Sequence, residues 1–299
     1  MTALTPAVDA LAAEPVTRRR RTRVARRARA LPFNLAGVVV LVASVFPVYW
    51  MVATAFKPTT DINAETPQLV PLHPTLDHFR TAVGADGFWL FWRNSALVSF
   101  GAVLLALVVA LMAAFAVARM SWPGRKGFVL LVFVAQMAPW EALIVPMFII
   151  ARDTGMLDKL SMLTLIYFIS TLPFTIITLR GFLASIPVEL EEAAQLDGAS
   201  RAQAFRRVVL PLLAPGLMST SLFGFITAWN EFPFANALII KNQDNRTLPV
   251  WLSSFSNVFG TDWGATMAAA TLFMLPVLAI FLVLQRRVTS GMVAGAVKG

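Results

Sequence analysis

Apolar and polar positions fall in long blocks along this chain. Six stretches reach the roughly 20-residue length that a helix needs to cross a hydrocarbon layer. They are 33–56, 94–118, 127–150, 160–179, 212–238 and 263–285. The second is the cleanest, dominated by Ala, Val and Leu from Ala102 to Ala118. The third carries Gln136, Pro139, Glu141 and Pro146, the fifth Pro215, Trp229, Asn230, Glu231 and Pro233, and the sixth Pro276. The pattern predicts an all-α integral membrane protein with six transmembrane helices.

The longest polar interruption in the second half is the stretch from Ile186 to Pro215. Pro187 suits a helix start, because a first-turn residue has no intrahelical use for its N–H. Leu190, Ala193, Ala194 and Asp197 then share one face at helical spacing. Gly198 suits a left-handed stop. Ser200, with Gln203 three residues on, gives a capping-box signal for a second helix. Phe205, Val208, Val209 and Leu212 form its apolar side, Arg201, Arg206 and Arg207 a basic one, and Pro211 breaks or kinks it. Two short helices are therefore expected to meet at a glycine, and the small face at Glu192, Ala193 and Ala194 admits the close approach of a partner's groove.

Composition agrees with a membrane protein. Of 299 residues, 58% are hydrophobic and 14% charged, with a mean hydropathy of +0.71; soluble domains are about a quarter charged. There is no cysteine, which excludes disulfides, thiolate metal sites and a cysteine nucleophile. The net charge of +9 raises nucleic acid as a partner, but much of it sits in one tail, where Arg18 to Arg21, Arg23, Arg26, Arg27 and Arg29 form a basic run. Residues 1–32 read as a polar, irregular, solvated tail that also anchors the N-terminus on the cytoplasmic side. The apolar stretch that follows is too long for a signal-peptide core.

With both termini inside, the cytoplasmic segments hold 18 of the 25 Lys and Arg and the outer segments 7. This places the 186–211 loop in the cytoplasm. The first outer loop, from Lys57 to Arg93, holds both histidines, His73 and His78; a plain surface loop fits them better than a metal site, which needs more ligands. The loop from Lys241 to Asp262 carries Asn242, Asp244, Asn245 and Arg246 and reads as a solvated linker with interfacial aromatics.

Ionisable groups at bilayer depth are functional candidates by default, and Glu141 and Glu231 are the two here. Each has three readings: lining a pathway, pairing with a partner helix, or sitting at the outer interface. Gln136 and Asn230 fit a hydrogen bond to a sugar hydroxyl, or interhelical glue worth on the order of 1 kcal/mol. Pro233 loosens the helix beside Glu231.

The spacing of Glu192-Ala193-Ala194, Gly198, Val208 and Leu210-Pro211 resembles the cytoplasmic coupling loop, or EAA motif, of permease subunits in binding-protein-dependent ABC importers. The family has Ile where this chain has Val208. Trp229-Asn230-Glu231-Phe232 resembles a stretch in the fifth helix of sugar-importer permeases. The ending from Gly291 to Gly299 resembles that of the smaller permease subunit of maltose-type importers, in carbohydrate uptake family 1, where the tail reaches the ATPase. The resemblance runs from the first span to the last residue.

It implies the type I importer permease fold, with a tail 1–32, a transmembrane domain 33–290 and a C-terminal tail 291–299. It implies a multi-pass subunit of a bacterial plasma membrane, heterodimeric with a second permease, bound to two ATPase subunits and served by an external solute-binding protein, with a sugar as cargo. Glu192, Ala193, Ala194, Asp197, Gly198, Val208, Leu210 and Pro211 would couple to the ATPase, and Gly295, Lys298 and Gly299 would reach toward it. Gln136, Glu141, Trp229, Asn230, Glu231 and Phe232 would line the pathway or the permease interface. Asn242, Asp244, Asn245 and Arg246 would meet the binding protein.

The chain has no G-x-x-x-x-G-K-[ST] phosphate loop and no catalytic constellation or metal cluster. It is therefore expected to be a non-catalytic subunit without a cofactor of its own, ATP and Mg being held by the partner ATPases. An ion-gradient-driven transporter is the rival class; it calls for inverted repeats, and none links the halves of this chain. A permease for a non-sugar solute is the nearer alternative.

Overall fold

The computed structural model describes residues 16–257 and 260–296, with side chains over 33–256 and 260–285. The chain divides into two units, 1–53 and 54–299. The first contributes most of helix α1 (Val16–Ala55). That helix begins inside the segment expected to be irregular. Arg and Ala are both good helix formers, so the basic run continues the apolar helix backwards rather than ending it.

In the second unit, α2 (Thr59–Ile62) and α3 (Asp77–Gly84) come first along the chain. Long helices follow: α4 (Phe88–Arg119), α7 (Leu160–Ser185), α10 (Leu210–Trp229) and α13 (Trp263–Ala296). Between them lie α5 (Arg125–Gln136), α6 (Ile144–Asp153), α8 (Glu189–Leu196), α9 (Arg201–Ala204), α11 (Pro233–Leu238) and α12 (Leu248–Leu252). Among the described residues, five helices are long and apolar enough to cross a membrane, six if the bent pair α5–α6 counts as one span. The protein is a multi-pass, almost wholly α-helical membrane protein. Among the described residues, the strand pairing is a two-residue hairpin, Ser256 with Thr261 and Asn257 with Gly260.

The α4–α7 pair is the spine. Ala102, Ala106, Ala110 and Ala114 recur every fourth residue on α4 and are buried. That row of small side chains lets a neighbouring helix pack close without a hydrophobic drive from water. At Gly101 an added Cβ would lie 3.1 Å from Thr164 of α7. α10 closes against the same spine through Gly216, where a Cβ would meet the Phe182 ring at 2.6 Å. The buried hydroxyls of Thr171, Thr175 and Thr220 donate to carbonyls one turn back in their own helices, which satisfies them in an apolar interior.

Three expected elements change. The 127–150 span is broken, because α5 and the helix pair from Trp140 to Asp153 meet at 90°. Pro139 has no N–H to continue the ladder and disfavours helical backbone at Ala138. The 212–238 span ends at Trp229 and restarts at Pro233 for the same reason. Pro211, by contrast, does not break its helix, and 201–229 run as one piece. A π-turn lies just before it at Phe205–Val209, in which the Leu210 N–H donates to Phe205 O, five residues back.

The loops 57–87 and 241–262 are packed. His78 is buried; its Nε2 lies 3.0 Å from Lys57 O, and its ring fills the space that a Cβ on Gly264 would take. The 241–262 segment is not a solvated linker, since Leu248, Val250 and Trp251 of α12 are buried. Asn94 donates to the carbonyls of Asp244 (2.7 Å) and Arg246 (2.9 Å), and the Ser95 hydroxyl accepts from Leu248 N–H at 2.7 Å.

Asp158, between α6 and α7, has φ +60°, a conformation that Asp tolerates better than most residues. Its Oδ1 accepts the N–H groups of Ile240 (2.6 Å), Lys241 (2.7 Å) and Asn242 (3.2 Å). Partial burial pushes this carboxyl up. The amides of Lys241, Asn242 and Ile240 and the Lys241 charge outweigh that, so it titrates below the usual carboxylate value. A depressed folded pKa means the stabilisation is complete above the unfolded pKa, near 3.9, and is lost as pH falls through the folded value. Asp158→Ala should lower the melting temperature in detergent at pH 7, by an effect of about 1.5 kcal/mol because water reaches the carboxylate. The deficit should hold constant from neutral pH down to about pH 5 and shrink below the ordinary carboxylate range.

Candidate functional site

The polar loop forms a tight helix–turn–helix. α8 begins at Glu189 rather than at Pro187, with Val188 in the cap position. Glu189, Glu191 and Glu192 occupy its first turn, where negative charge complements the helix dipole. Its end closes as a Schellman turn. Ala199 N–H donates to Ala194 O (3.0 Å), Gly198 N–H donates to Gln195 O (3.0 Å), and Gly198 has φ +91°. The capping box is complete, with Ser200 N–H to Gln203 Oε1 at 2.8 Å and Gln203 N–H to Ser200 Oγ at 3.3 Å.

No residue of α8 is buried. Glu192, Ala193 and Asp197 are exposed and Ala194 is half-buried. Leu196 is 89% exposed, with Val188 and Leu190 also open. The loop therefore presents a small, partly apolar face that the described residues leave uncovered. Its root is firmly held. Val208 and Leu210 are half-buried and Pro211 is exposed, while Val209 and Leu213 beside them are fully buried with Leu179 and Leu183 of α7.

A tether with no local sequence signal joins the loop to α4. Arg119, the last residue of that span, donates Nε–H to Glu191 Oε1 at 2.6 Å and Nη2–H to Ile186 O at 2.8 Å. The pair is 9% and 12% exposed at the side chains. A basic residue closing an apolar helix and an acid in a helical first turn were both visible in the sequence, but not their pairing.

The second set of candidates splits. Gln136, Glu141 and Glu231 line one cavity of about 580 Å3, with Trp140, Ser170 and Thr227. Trp229 is not on it. Trp229 is 1% exposed, stacks on Phe225 and Phe273 and donates Nε1–H to Phe273 O at 3.1 Å, pinning α10 to α13. The Asn230 amide donates to Ile226 O at 2.8 Å and closes the end of α10. Phe232 packs with the core beside Phe234.

Glu231 caps the restarted helix. Its Oε1 accepts Phe234 N–H at 2.7 Å, and its Oε2 accepts Ala235 N–H at 3.1 Å and the Tyr167 hydroxyl at 2.5 Å. All three donors are buried away from water or close to it, so the carboxylate acts as the acceptor that the helix break requires.

Of the outer-loop candidates, Asn242 and Asp244 expose their side chains. Asn245 instead donates to Asp158 O at 2.6 Å, and Arg246 is half-buried. Gly295 lies in the last turns of α13; Lys298 and Gly299 lie outside the described residues.

A family model described as "Binding-protein-dependent transport system inner membrane component" matches residues 102–293. The chain is 56% identical over 266 residues to the diacetylchitobiose uptake system permease protein DasC of Streptomyces coelicolor, covering 89% of this chain and 96% of that one. It is 34% identical over 273 residues to the trehalose transport system permease protein SugB of Mycobacterium tuberculosis, covering 91% and 98%. In fold it is similar to a chain of a bacterial ABC transporter involved in import of the acidic polysaccharide alginate, with TM-score 0.73 at 21% identity, over 86% of this chain and 97% of that one.

Glu231→Ala should leave the Phe234 and Ala235 amides and the Tyr167 hydroxyl without an acceptor, at about 1–3 kcal/mol for each buried group. Melting in detergent should fall by far more than for Asn230→Ala, which removes a single local bond. Equal losses in the two variants would refute the capping role.

Proposed function

We propose, for a chain that belongs to the family of binding-protein-dependent transport system inner membrane components, that it is the permease subunit of an ABC importer carrying a sugar. The observation that carries this reading is the 186–211 loop, exposed along α8 yet rooted in the bundle and tethered to α4. A loop with that shape suits a groove on a separate ATPase subunit. The high identity to a diacetylchitobiose permease and the likeness to a trehalose permease favour a di- or oligosaccharide as cargo. Diacetylchitobiose is the first sugar to test.

In this mechanism the chain crosses the membrane six times, with α5–α6 as one bent crossing and both termini in the cytoplasm. A second permease completes a heterodimer. Two ATPase subunits close on ATP, and each permease's loop follows its ATPase. Glu192 makes the polar contact, Ala193 and Ala194 allow close approach, and Gly198 sets the angle between α8 and α9. Arg119 passes the displacement to α4 and so to the α4–α7 spine. The cavity lined by Gln136, Glu141, Ser170 and Thr227 is the part of this subunit that faces the passing sugar. Asn242 and Asp244 meet the binding protein, on a loop kept rigid by Asp158, Asn94 and Ser95. The C-terminal residues Gly295, Lys298 and Gly299 reach toward the ATPases.

The direct test is purification from mild detergent with its partners. A second permease and two ATPase copies should accompany the chain, and ATP hydrolysis should rise when sugar-loaded binding protein is added. A chain recovered without any ATPase would overturn the reading.

Two variants test the coupling loop. An added side chain at Gly198 meets no atom within 4 Å, so Gly198→Val acts through backbone strain of about 1–2 kcal/mol at positive φ. It should abolish uptake while leaving the amount of protein in the membrane unchanged. Arg119→Ala should raise the ATP consumed per sugar imported several-fold. Arg119→Lys should recover part of the loss, since an ammonium keeps the charge but not the forked geometry. An unchanged ATP-to-sugar ratio in Arg119→Ala would remove the tether from the mechanism.

A further inference from the structure

A cavity of about 710 Å3 lies beside the short loop that follows Arg119, lined by Ser121, Trp122, Arg125, Lys126, Val129 and Arg180. Three cationic residues, Arg125, Lys126 and Arg180, line it, and among the described residues no carboxylate does. Among the described residues, none of the three forms an ion pair. Like charges gathered in a recess, without an internal counterion, create a local positive potential that an anion relieves.

The surroundings say which kind of anion. The cavity sits where α4 ends and α5 begins, at the end of the bundle that carries the Arg119–Glu191 tether. Trp122 borders it, its ring edge-on to Phe128 at 6.0 Å, and an indole with one apolar and one polar side suits the headgroup level of a bilayer. Beyond the cavity, α5 exposes Leu130, Leu131 and Val134, an apolar track on which acyl chains can lie. A charged recess continuous with a lipid-facing apolar track matches the two halves of a phospholipid.

We propose that this cavity is a phosphate-ester site occupied by the headgroup of an anionic membrane phospholipid. Arg125, Lys126 and Arg180 hold the phosphodiester, and the acyl chains run along α5. The site needs neither the sugar nor the coupling mechanism, so it stands or falls apart from the function proposed above.

The test uses the intact purified transporter, with native mass spectrometry after transfer from bilayers of phosphatidylcholine with or without phosphatidylglycerol. The wild-type complex should retain phosphatidylglycerol and release phosphatidylcholine. Arg125→Gln, Lys126→Gln and Arg180→Gln should each weaken retention by roughly five-fold, with subunit composition and melting temperature unchanged. Arg201→Gln, a basic residue at the same end but off the cavity, should retain lipid normally. Equal retention in wild type and the three variants would overturn the proposal. So would displacement of the lipid by millimolar inorganic phosphate, which would make the ligand a free anion. Retention that appears only after the ATPase subunits are stripped away would mean that a protein partner covers the recess, and would equally overturn it.

Discussion

In hydrocarbon, every backbone N–H and C=O needs a partner from within the protein, and the rest of this structure follows from how that demand is met. Unbroken helices meet it by themselves. Breaks do not, and the described residues include one before Pro139 and one before Pro233. Both open onto the same cavity, with Gln136, Ala138 and Trp140 from one and Glu231, Pro233 and Phe234 from the other. Pro173 of α7 lines it too. The Trp140 and Phe234 rings meet at 5.3 Å across the gap. Irregular backbone at depth is thus gathered where protein or a cavity surrounds it, and Glu231 provides the acceptor that the second break lacks.

The two ends of the bundle are built differently. At one end the loops are tied together, with Asp158 holding the backbone of 240–242, Asn94 and Ser95 holding 244–248, and His78 wedged against Gly264. At the other end the 186–211 loop has a buried root and an open tip. Under the proposed function, a tied end and an open-tipped, tethered loop suit partners that deliver cargo on one face and force on the other. Arg119 is the joint, since one guanidinium reaches both the α8 side chain and the backbone that leads into it.

Several local features could be read before any coordinates. The Gly198 stop and the Ser200–Gln203 capping box formed as the residue types dictate, because such motifs close within a few residues. The Ala-rich second span became the close-packed spine. Other readings failed for reasons of context. Pro211 left its helix intact, with a π-turn at 205–209 just before it, whereas Pro139 and Pro233 did break theirs. Glu231, a charge at depth, lines the cavity and also caps the next helix, a second role that no local pattern shows. His78, placed in a surface loop by its neighbours, is buried by a glycine on a distant helix.

The sequence by itself determined the membrane class, the approximate spans, the loop between α7 and α10 and its turn chemistry. These depend on composition and on contacts a few residues apart. Tertiary structure alone decided that Arg119 meets Glu191 across 72 residues, that Asp158 grips amides more than 80 residues away, and that two helix breaks share one cavity. A hydrophobic period says which face is buried, not against what, because apolar packing is non-directional. The partner of a buried polar group is chosen by distance and angle, and those exist only once the helices have been placed.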